Sequence, residues 1–262
     1  TYNKVFDLFL GSGNILLNLK CEANIFIGND KQKLTPSIYN IIYKFNYDIN
    51  DIENVLNKFN RFSKKEDYYV FRDYWNSKFL NNKFDKEFVV ETVLLLKMCS
   101  NSMVRFNSKH GYFNQGFRGL GNKKEFFTER MKNTIVNSLN NLSERIKGEN
   151  YQFFTKDFRE YKDEGNDNLL IIDPPYLLRN DMYDNDFDVE LDNLIIELLN
   201  NTKNDFIYFN YLEREEQEHT VLKEAIKNNN FSVYTINDKT MAGQNRKSER
   251  DVLEVIVTNI IV

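Results

Sequence analysis

The strongest chemical signal in the sequence is the tetrapeptide Asp173-Pro174-Pro175-Tyr176, which directly follows the apolar run 169–172. Such a run predicts a buried strand, and α/β sheets bind ligands at the carboxyl ends of their strands. The Asp173 carboxylate and a backbone carbonyl near Pro174 could each accept an N–H of an exocyclic amine, so that the nitrogen lone pair points at a methyl donor. Tyr176 would stack on a planar base while the prolines fix the backbone. The motif indicates amine methylation; the alternative is a plain Pro-Pro turn with Asp173 in a turn hydrogen bond.

A second motif is typical of a turn that holds a cofactor. Residues 5–10 predict a strand, which runs into Gly11-Ser12-Gly13-Asn14 and then into an apolar helical start at 15–17. Glycines let the backbone approach a ligand closely, and the N–H groups that open the helix face it. A further predicted strand, 25–30, ends in Asp30, the position from which α/β folds hold ribose hydroxyls. A capping role for Asp30 is the alternative.

The order of these motifs resembles the Dam-type, alpha-group DNA adenine-N6 methyltransferases. The matching pattern is D-L-F-x-G-S-G from residue 7, an acid that ends the second strand, a long insertion and D-P-P-Y at 173–176. Inside the insertion, 105–114 is similar to the family segment R-x-N-x-x-G-x-F-N, and 253–259 is a family-like ending. The resemblance covers 2–262. It implies S-adenosylmethionine as methyl donor and a flipped adenine in double-stranded DNA as acceptor.

The resemblance also implies roles for individual residues. The catalytic motif is Asp173, Pro174, Pro175 and Tyr176. The implied cofactor contacts are Asp7, Phe9, Gly11, Ser12, Gly13, Asn14, Asp30 and Asp173, with Asp157 and Phe158 on the adenine of the cofactor. The implied DNA contacts are Arg105, Asn107, Lys109, Tyr112, Phe113, Asn114, Gln115, Arg118, Lys123 and Lys124. For Asp157 and Phe158 a chance Asp-Phe pair is the alternative.

Two features depart from the family pattern. Family members usually begin with a segment that carries a glycine-glycine-lysine motif, which touches the methionine moiety of the cofactor, and this sequence starts after it. If the molecule lacks that segment, a catalytically weak DNA-binding module is the expectation, although the intact D-P-P-Y motif counts against it. One extra residue separates Asn107 from Gly111, and Gln115-Gly116 stands where the family often has a proline. The recognition loop is therefore expected to read a different site.

The distribution of charge favours a nucleic-acid partner. The chain carries a net charge of −4, but the window 105–132 holds seven basic residues against two acidic ones. This window has a balance of +5 and the remainder of the chain −9. A basic patch on an acidic body orients a protein on a polyanion. The same window holds four of the ten glycines, beside the aromatic residues Tyr112, Phe113 and Phe117, which predicts a β-hairpin with a cationic, aromatic tip. A solvated loop is the alternative.

Composition limits the remaining classes. A chain of 262 residues with 41% apolar content can build one α/β core and a smaller domain. It has no apolar run that could span a bilayer and no signal-like start, so we expect a cytoplasmic, DNA-associated protein. Cys21 and Cys99 lie far apart and neither follows a proline, which disfavours a cytosine-C5 methyltransferase. His110 and His219 look isolated, so we assign neither a metal site nor a histidine base.

The spacing of apolar residues predicts helices at 34–46, 51–60, 64–77, 85–100, 189–201 and 213–229, and strands at 206–209, 231–236 and 253–257. Together with the motif strands, this alternation predicts a doubly wound, Rossmann-like α/β sheet with an inserted, mostly helical target-recognition domain that carries the hairpin. We assign 1–50 and 150–262 to a discontinuous catalytic domain and 51–149 to DNA recognition. Because D-P-P-Y chemistry does not identify the polymer, an RNA or other planar-amine methyltransferase is the alternative.

Overall fold

The computed structural model describes residues 1–102, 104–107, 109–119, 126–148, 150–161, 165–176, 178, 189–214, 217–236 and 252–260. The α-helices are α1 (Asn14–Asn18), α2 (Leu34–Ile42), α3 (Ile49–Lys58), α4 (Lys65–Leu80), α5 (Lys86–Met98), α6 (Glu129–Gly148), α7 (Val189–Asn201) and α8 (Thr220–Asn229). The strands are β1 (Tyr2–Asp7), β2 (Ala23–Asn29), β3 (Tyr151–Phe154), β4 (Asn168–Ile172), β5 (Asp205–Arg214), β6 (Gln217–Glu218), β7 (Ser232–Ile236) and β8 (Val252–Thr258).

The chain divides into two compact units. The sheet unit comprises residues 1–35 and 151–262, and the helical unit comprises 36–150. Among the described helices, none is long and apolar enough to cross a membrane.

The sheet unit is a mixed α/β fold around a mostly parallel sheet with the strand order β3-β2-β1-β4-β5-β8-β7, and β6 pairs with β5. Strands β1 to β5 run parallel, whereas β8 is antiparallel to both β5 and β7. The chain adds β2 and β3 on one side of β1 and then returns to add β4 on the other. The order reverses between β1 and β4, and in open α/β sheets ligands bind at the carboxyl end of such a reversal.

Strand β4 lies at the centre of the core. Its five residues, Asn168 and four apolar ones, are all buried, and parallel neighbours pair with it on both edges. A parallel strand that is covered on both faces has a continuous apolar run rather than a polar alternation. On one face Leu170 and Ile172 pack in a cluster with Ile195 of α7 and Leu222 of α8. This packing holds the strand that delivers Asp173 to the edge of the sheet.

The helical unit has an aromatic core. Trp75 of α4 is fully buried, stacks on Phe79 and Phe88, and donates from its indole nitrogen to Thr92 Oγ1 at 2.9 Å. The ammonium of Lys78 lies 2.9 Å from Oε2 of the buried Glu91. Burial of the Glu91 carboxyl raises its pKa, and the adjacent Lys78 opposes that rise. The rings and this ion pair fix α4 against α5.

Two predicted elements need correction, and two others were not predicted. The predicted helix 213–229 begins only at Thr220, because β5 continues to Arg214, where it still pairs with Val252 of β8. For the same reason the predicted strand 206–209 is too short. Strand β3 and helix α6 were missed altogether.

The burial of β4 leads to a stability prediction. Leu170→Ala should lower the free energy of unfolding by about 2–5 kcal/mol, because it leaves a cavity in a core that other residues fill completely. Urea unfolding followed by far-UV circular dichroism measures this. The matched control is Val221→Ala, at a side chain of α8 that is 40% exposed, which should change the value by less than about 0.5 kcal/mol. Equal effects of the two substitutions would show that β4 is not the core strand.

Candidate active site

The register between β1 and β4 brings the two main sequence motifs together. Asp7 is paired with Ile171, and the N–H of Leu8 donates to the carbonyl of Ile171 at 3.0 Å. The residues that follow both strands therefore leave the sheet side by side. Asp7 and Asp173 are close enough that the charge of Asp173 contributes to raising the pKa of Asp7.

The glycine turn after β1 has the backbone geometry that its sequence predicts. Gly11 and Gly13 both adopt left-handed conformations, with φ of +51° and +74°. The N–H of Gly13 donates to the carbonyl of Leu10 at 2.6 Å, and the N–H of Leu10 donates to the carbonyl of Asn29 at 2.8 Å. A side chain at either glycine would strain the turn. Ser12 and Asn14 lie in the same turn, the latter as the first residue of α1.

Asp30 closes this turn from the end of β2. Its carboxylate accepts the N–H of Gly11 at Oδ2 and the N–H of Gln32 at Oδ1, each at 2.7 Å. Burial raises the pKa of Asp30, and these two backbone hydrogen bonds oppose the rise. Each carboxylate oxygen can accept more than one hydrogen bond, so the arrangement leaves acceptor capacity for hydroxyls of a ligand.

Asp7 is the most deeply buried acid of the site. Its side chain is 2% exposed and accepts one backbone hydrogen bond, from the N–H of Phe9 at 3.3 Å. Burial raises its pKa to about 7, and the charges of Asp173 and Asp30 add to the rise. The three carboxyls therefore form a partly desolvated acidic cluster at the carboxyl ends of β1, β2 and β4, where a cationic ligand would be stabilised.

Asn29 organises the same edge and was missed by the sequence analysis. Its amide nitrogen donates to the carbonyls of Leu8 and Lys156, at 3.3 and 3.1 Å, and its amide oxygen accepts the N–H of Lys156 at 3.1 Å. One buried side chain thus ties the ends of β1, β2 and β3 together. The only sequence signal was its place before Asp30, since nothing local indicates a partner 127 residues away.

Phe9 and Phe158 lie together, with ring centroids 5.0 Å apart. Asp157, by contrast, is engaged within its own loop. Both carboxylate oxygens bind Arg159, with Nε at 2.8 Å and Nη2 at 2.6 Å, and these hydrogen bonds lower the pKa of Asp157 to about 2. Any hydrogen bond that Asp157 accepts from a cofactor would use the lone pairs that Arg159 leaves over.

The D-P-P-Y segment leaves the end of β4 with Pro174 buried, Pro175 exposed, and Asp173 and Tyr176 half-buried. The hydroxyl of Tyr176 donates to Oε1 of Glu254 at 2.9 Å, and its ring lies 4.6 Å from that of Tyr211 at an interplanar angle of 73°. Burial raises the pKa of Tyr176, and the charges of Asp173 and Glu254 raise it further. The phenol therefore stays protonated.

A buried polar network lies beneath this segment. Nε2 of His219 is 3.1 Å from Oδ1 of Asp192, the hydroxyl of Tyr208 contacts the same oxygen, and the amide of Asn210 bonds the Tyr208 hydroxyl. The expectation that His219 is isolated is therefore wrong, because Asp192 of α7 reaches it from 27 residues away. The pKa of Tyr208 is raised well above its ordinary value by burial and by Asp192.

In the helical unit, Asn107 builds the turn of the predicted hairpin. Its side-chain oxygen accepts the N–H groups of Lys109 and His110, at 3.1 and 2.9 Å, and its backbone N–H donates to the carbonyl of Tyr112 at 2.8 Å. Gly111 completes the turn in a left-handed conformation with φ +66°. Among the described residues, the strand pairing of this segment consists of a single bridge between Phe106 and Phe113.

Phe113 was expected to contact DNA, and the structure shows a different role. Its ring is 1% exposed and lies 5.7 Å from that of Trp75, while the amide of Asn76 makes two hydrogen bonds with its backbone, at 2.7 and 3.0 Å. Phe113 is a core residue that anchors the hairpin. Lys132 is likewise removed from the expected basic patch, because it is buried between Glu53 and Glu129.

The other predicted DNA contacts differ in exposure. Arg105, Lys109, Asn114 and Arg118 are exposed, whereas Asn107, Tyr112 and Gln115 are half-buried. The backbone carbonyl of Gln115 accepts the hydroxyl of Tyr68 at 2.9 Å, and the Arg118 guanidinium lies 5.3 Å from the centre of the Phe126 ring. Lys123 and Lys124 lie outside the described residues.

Comparison with known families explains this combination of sheet, glycine turn and D-P-P-Y segment. A family model described as D12 class N6 adenine-specific DNA methyltransferase matches residues 1–242. The chain belongs to this family. The protein is therefore an enzyme that methylates the N6 amine of adenine at specific sites in DNA, and the family implies S-adenosylmethionine as its methyl donor. A search of curated proteins finds no match. The resemblance drawn from the sequence is confirmed.

The position of Asp7 in the methyltransferase generates a pH prediction. Because the pKa of Asp7 in the folded protein is about 7, above its value in an unfolded chain, its proton stabilises the fold fully below pH ~4 and this contribution is lost as the pH rises through 7. Asp7→Asn keeps an acceptor for the N–H of Phe9 without the charge. It should therefore stabilise the protein more at pH 8 than at pH 5, by on the order of 1–3 kcal/mol.

Thermal melts at the two pH values measure this difference. The matched control is Glu224→Gln, at an exposed side chain of α8 in the same unit, which should shift the melting temperature equally at both pH values. A pH-independent effect of Asp7→Asn would show that Asp7 is already ionised in the fold at pH 5.

Proposed function

We propose that Asp173, the carbonyl of Pro174 and Tyr176 hold a flipped adenine of double-stranded DNA at the carboxyl end of β4. The observation that carries this is the β1–β4 register, which sets Asp173 beside the glycine turn and the acidic cluster. An amine acceptor and a cofactor turn are therefore neighbours in one unit. Methyl transfer needs this proximity, because the donor and the nitrogen must be held in line.

The chemistry of the proposed site is orientation rather than proton abstraction. The N6 lone pair of adenine is delocalised into the ring, and two acceptors on its N–H groups draw the nitrogen toward tetrahedral geometry. Asp173 supplies one acceptor, and the backbone at Pro174, held by the proline rings on either side of the peptide, supplies the other. The ring of Tyr176 stacks on the base. The amine proton then leaves to water, so no histidine base is required.

The residues around the glycine turn fit S-adenosylmethionine. Asp30 keeps acceptor capacity for ribose hydroxyls, and Gly11 and Gly13 admit close approach of the ligand to the backbone together with Ser12 and Asn14. Phe9 and Phe158 provide an apolar surface for the adenine ring of the cofactor, beside Asp157. When bound, this cofactor supplies a methyl group on a cationic sulfonium, and its charge suits the acidic cluster formed by Asp7, Asp30 and Asp173.

For DNA recognition we propose the helical unit, within the predicted domain 51–149. The exposed cations Arg105, Lys109 and Arg118 lie on a segment whose backbone is fixed by Asn107 and Asn76. Positive side chains on a rigid turn suit a groove between phosphates. Lys123 and Lys124 stay in this proposal from the sequence alone, and Phe113 is removed from it.

The first test concerns catalysis. Asp173→Ala should reduce methyl transfer by at least about a thousandfold, because it removes the side chain that orients the amine, and should leave DNA binding within about twofold. Transfer of labelled methyl groups to amplified, unmethylated genomic DNA measures activity, and fluorescence anisotropy with a duplex measures binding. The matched control is Asp205→Ala, at the opposite end of the sheet, which should keep activity. Full activity of Asp173→Ala would refute the proposed mechanism, and transfer to RNA in preference to DNA would favour the alternative substrate.

The second test separates base reading from phosphate binding. Arg105→Ala should lower the preference for cognate over scrambled duplex by about 1–3 kcal/mol, because an arginine fork on a guanine edge discriminates between bases. Lys109→Ala, on the same turn, should weaken both duplexes alike and flatten the salt dependence. The cognate site is first found by sequencing the methylated product.

Binding isotherms on both duplexes at two salt concentrations then compare the variants, with a thermal melt of each. If Arg105→Ala melts normally and retains its full preference, base reading by this residue is wrong. A lowered melting temperature would instead make Arg105 a support of the hairpin.

A further inference from the structure

Tyr176 is held by two side chains that lie outside the D-P-P-Y motif. Its hydroxyl donates to Oε1 of Glu254 at 2.9 Å. Its ring contacts that of Tyr211, with centroids 4.6 Å apart and planes at 73°. The first contact fixes the end of the side chain and the second fixes the ring, so the position and the orientation of the ring are both specified.

These two contacts come from one place in the sheet. Tyr211 of β5 and Glu254 of β8 are directly paired across the antiparallel ladder, and side chains of such pairs lie about 5 Å apart on one face. The register of the two strands shifts immediately beyond this pair, between Tyr211 and Glu213. The ladder therefore sets the distance between the two contacts.

Tyr211 is connected through its backbone to the buried polar network of Tyr208, Asp192 and His219. The side-chain oxygen of Asn210 accepts the N–H of Tyr211 at 2.7 Å, and the amide nitrogen of Asn210 bonds the Tyr208 hydroxyl. Tyr208 in turn contacts Asp192, which is held by His219. A continuous set of buried hydrogen bonds thus leads from α8 to the residue that contacts the Tyr176 ring.

Two carboxylates act on the Tyr176 hydroxyl. Asp173 and Glu254 both form hydrogen bonds with it, and their charges keep it protonated. A phenol has one proton to donate, so Glu254 remains as its acceptor when Asp173 binds the amine of a base. The ring can then hold its orientation while Asp173 binds that amine.

We propose that Glu254 is a positioning residue for methyl transfer: it accepts the Tyr176 hydroxyl, and with Tyr211 it sets the plane of the ring before the base arrives. This inference rests on the proposed role of Tyr176 as the stacking residue. It assigns Glu254 no contact with the substrate. Its effect on the reaction passes through Tyr176 alone, which makes it testable by a double-mutant cycle.

The experiment compares Glu254→Ala, Glu254→Gln, Tyr176→Phe and the double variant Glu254→Ala/Tyr176→Phe, with amplified, unmethylated genomic DNA as substrate. Glu254→Ala and Tyr176→Phe should each lower kcat by about tenfold, the effect of one hydrogen bond, with KM for DNA little changed. The double variant should be no worse than either single one. Glu254→Gln should stay within about threefold of the wild type, because the amide oxygen still accepts the phenol proton.

The matched control is Glu213→Ala, which removes a carboxylate two residues from Tyr211 that pairs with Lys223 and should keep full activity. Losses that add in the double variant, or a Gln variant as impaired as the Ala variant, would overturn the inference. If Glu254→Ala does not fold, Tyr176→Phe removes the same hydrogen bond from the other side, and equal activity of Tyr176→Phe and wild type would also overturn it.

The experiments distinguish failure of the proposed function from failure of this inference. If Asp173→Ala and Tyr176→Ala remain active, the stacking role itself is wrong. If both are inactive while the Glu254 variants retain wild-type kcat, only the positioning role of Glu254 is refuted.

Discussion

The parallel backbone ladder between β1 and β4 is the interaction on which the site depends, because it alone determines which residues leave the sheet side by side. A slip of one residue would turn Asp173 to the other face of the sheet. The apolar residues of β4 do not prevent such a slip, since both faces of the strand are buried. The buried Asn168 does so at the amino end. Its side chain accepts the N–H of Lys4 at 3.1 Å, and its own N–H donates to the side chain of Asn204 at 3.1 Å.

That register has an electrostatic cost. It concentrates Asp7, Asp30 and Asp173 in a partly desolvated place, where burial raises the pKa of Asp7 and of Asp30 and the charges of Asp173 and Asp30 raise that of Asp7 further. The backbone offsets part of this cost unequally: Asp30 accepts two N–H groups, whereas Asp7 accepts one and keeps a pKa of about 7. With a pKa of about 7, Asp7 is partly protonated near neutral pH, and a cationic ligand would replace the proton. The same acidity would suit the sulfonium charge in the proposed S-adenosylmethionine site.

The sequence predicted the parts of the fold whose cause is local. The apolar runs of β1, β2 and β4, the glycines of the turn and the D-P-P-Y motif are each contained within a few residues. The contacts that hold these parts together are formed between residues far apart in the chain. Asn29 bonds Lys156 across 127 residues, His219 contacts Asp192 across 27, and Tyr176 bonds Glu254 across 78. The local sequence predicts a surface or loop position for each of these polar side chains, because only the order of the strands brings its partner close. The prediction for Phe113 has the opposite error. The motif predicts an exposed ring, and nothing in the local sequence shows that Trp75 packs against it and buries it.

In the segment 105–114, the residues that order the turn differ from the residues that carry positive charge. This difference matters for the extra residue between Asn107 and Gly111. The longer turn between Asn107 and Gly111 is stabilised from within, because one Asn107 oxygen accepts two N–H groups and Gly111 takes the left-handed conformation that closes it. Asn76 then ties the returning chain to α4 through both atoms of its amide. Binding by a turn already ordered in this way loses less conformational entropy than binding by a free loop. These amides serve the turn itself, whereas the exposed cations Arg105, Lys109 and Arg118 are the side chains that would meet DNA in the proposed interface. In that proposal, the position in which the lengthened turn holds Arg105 and Lys109 would determine which sequence they read.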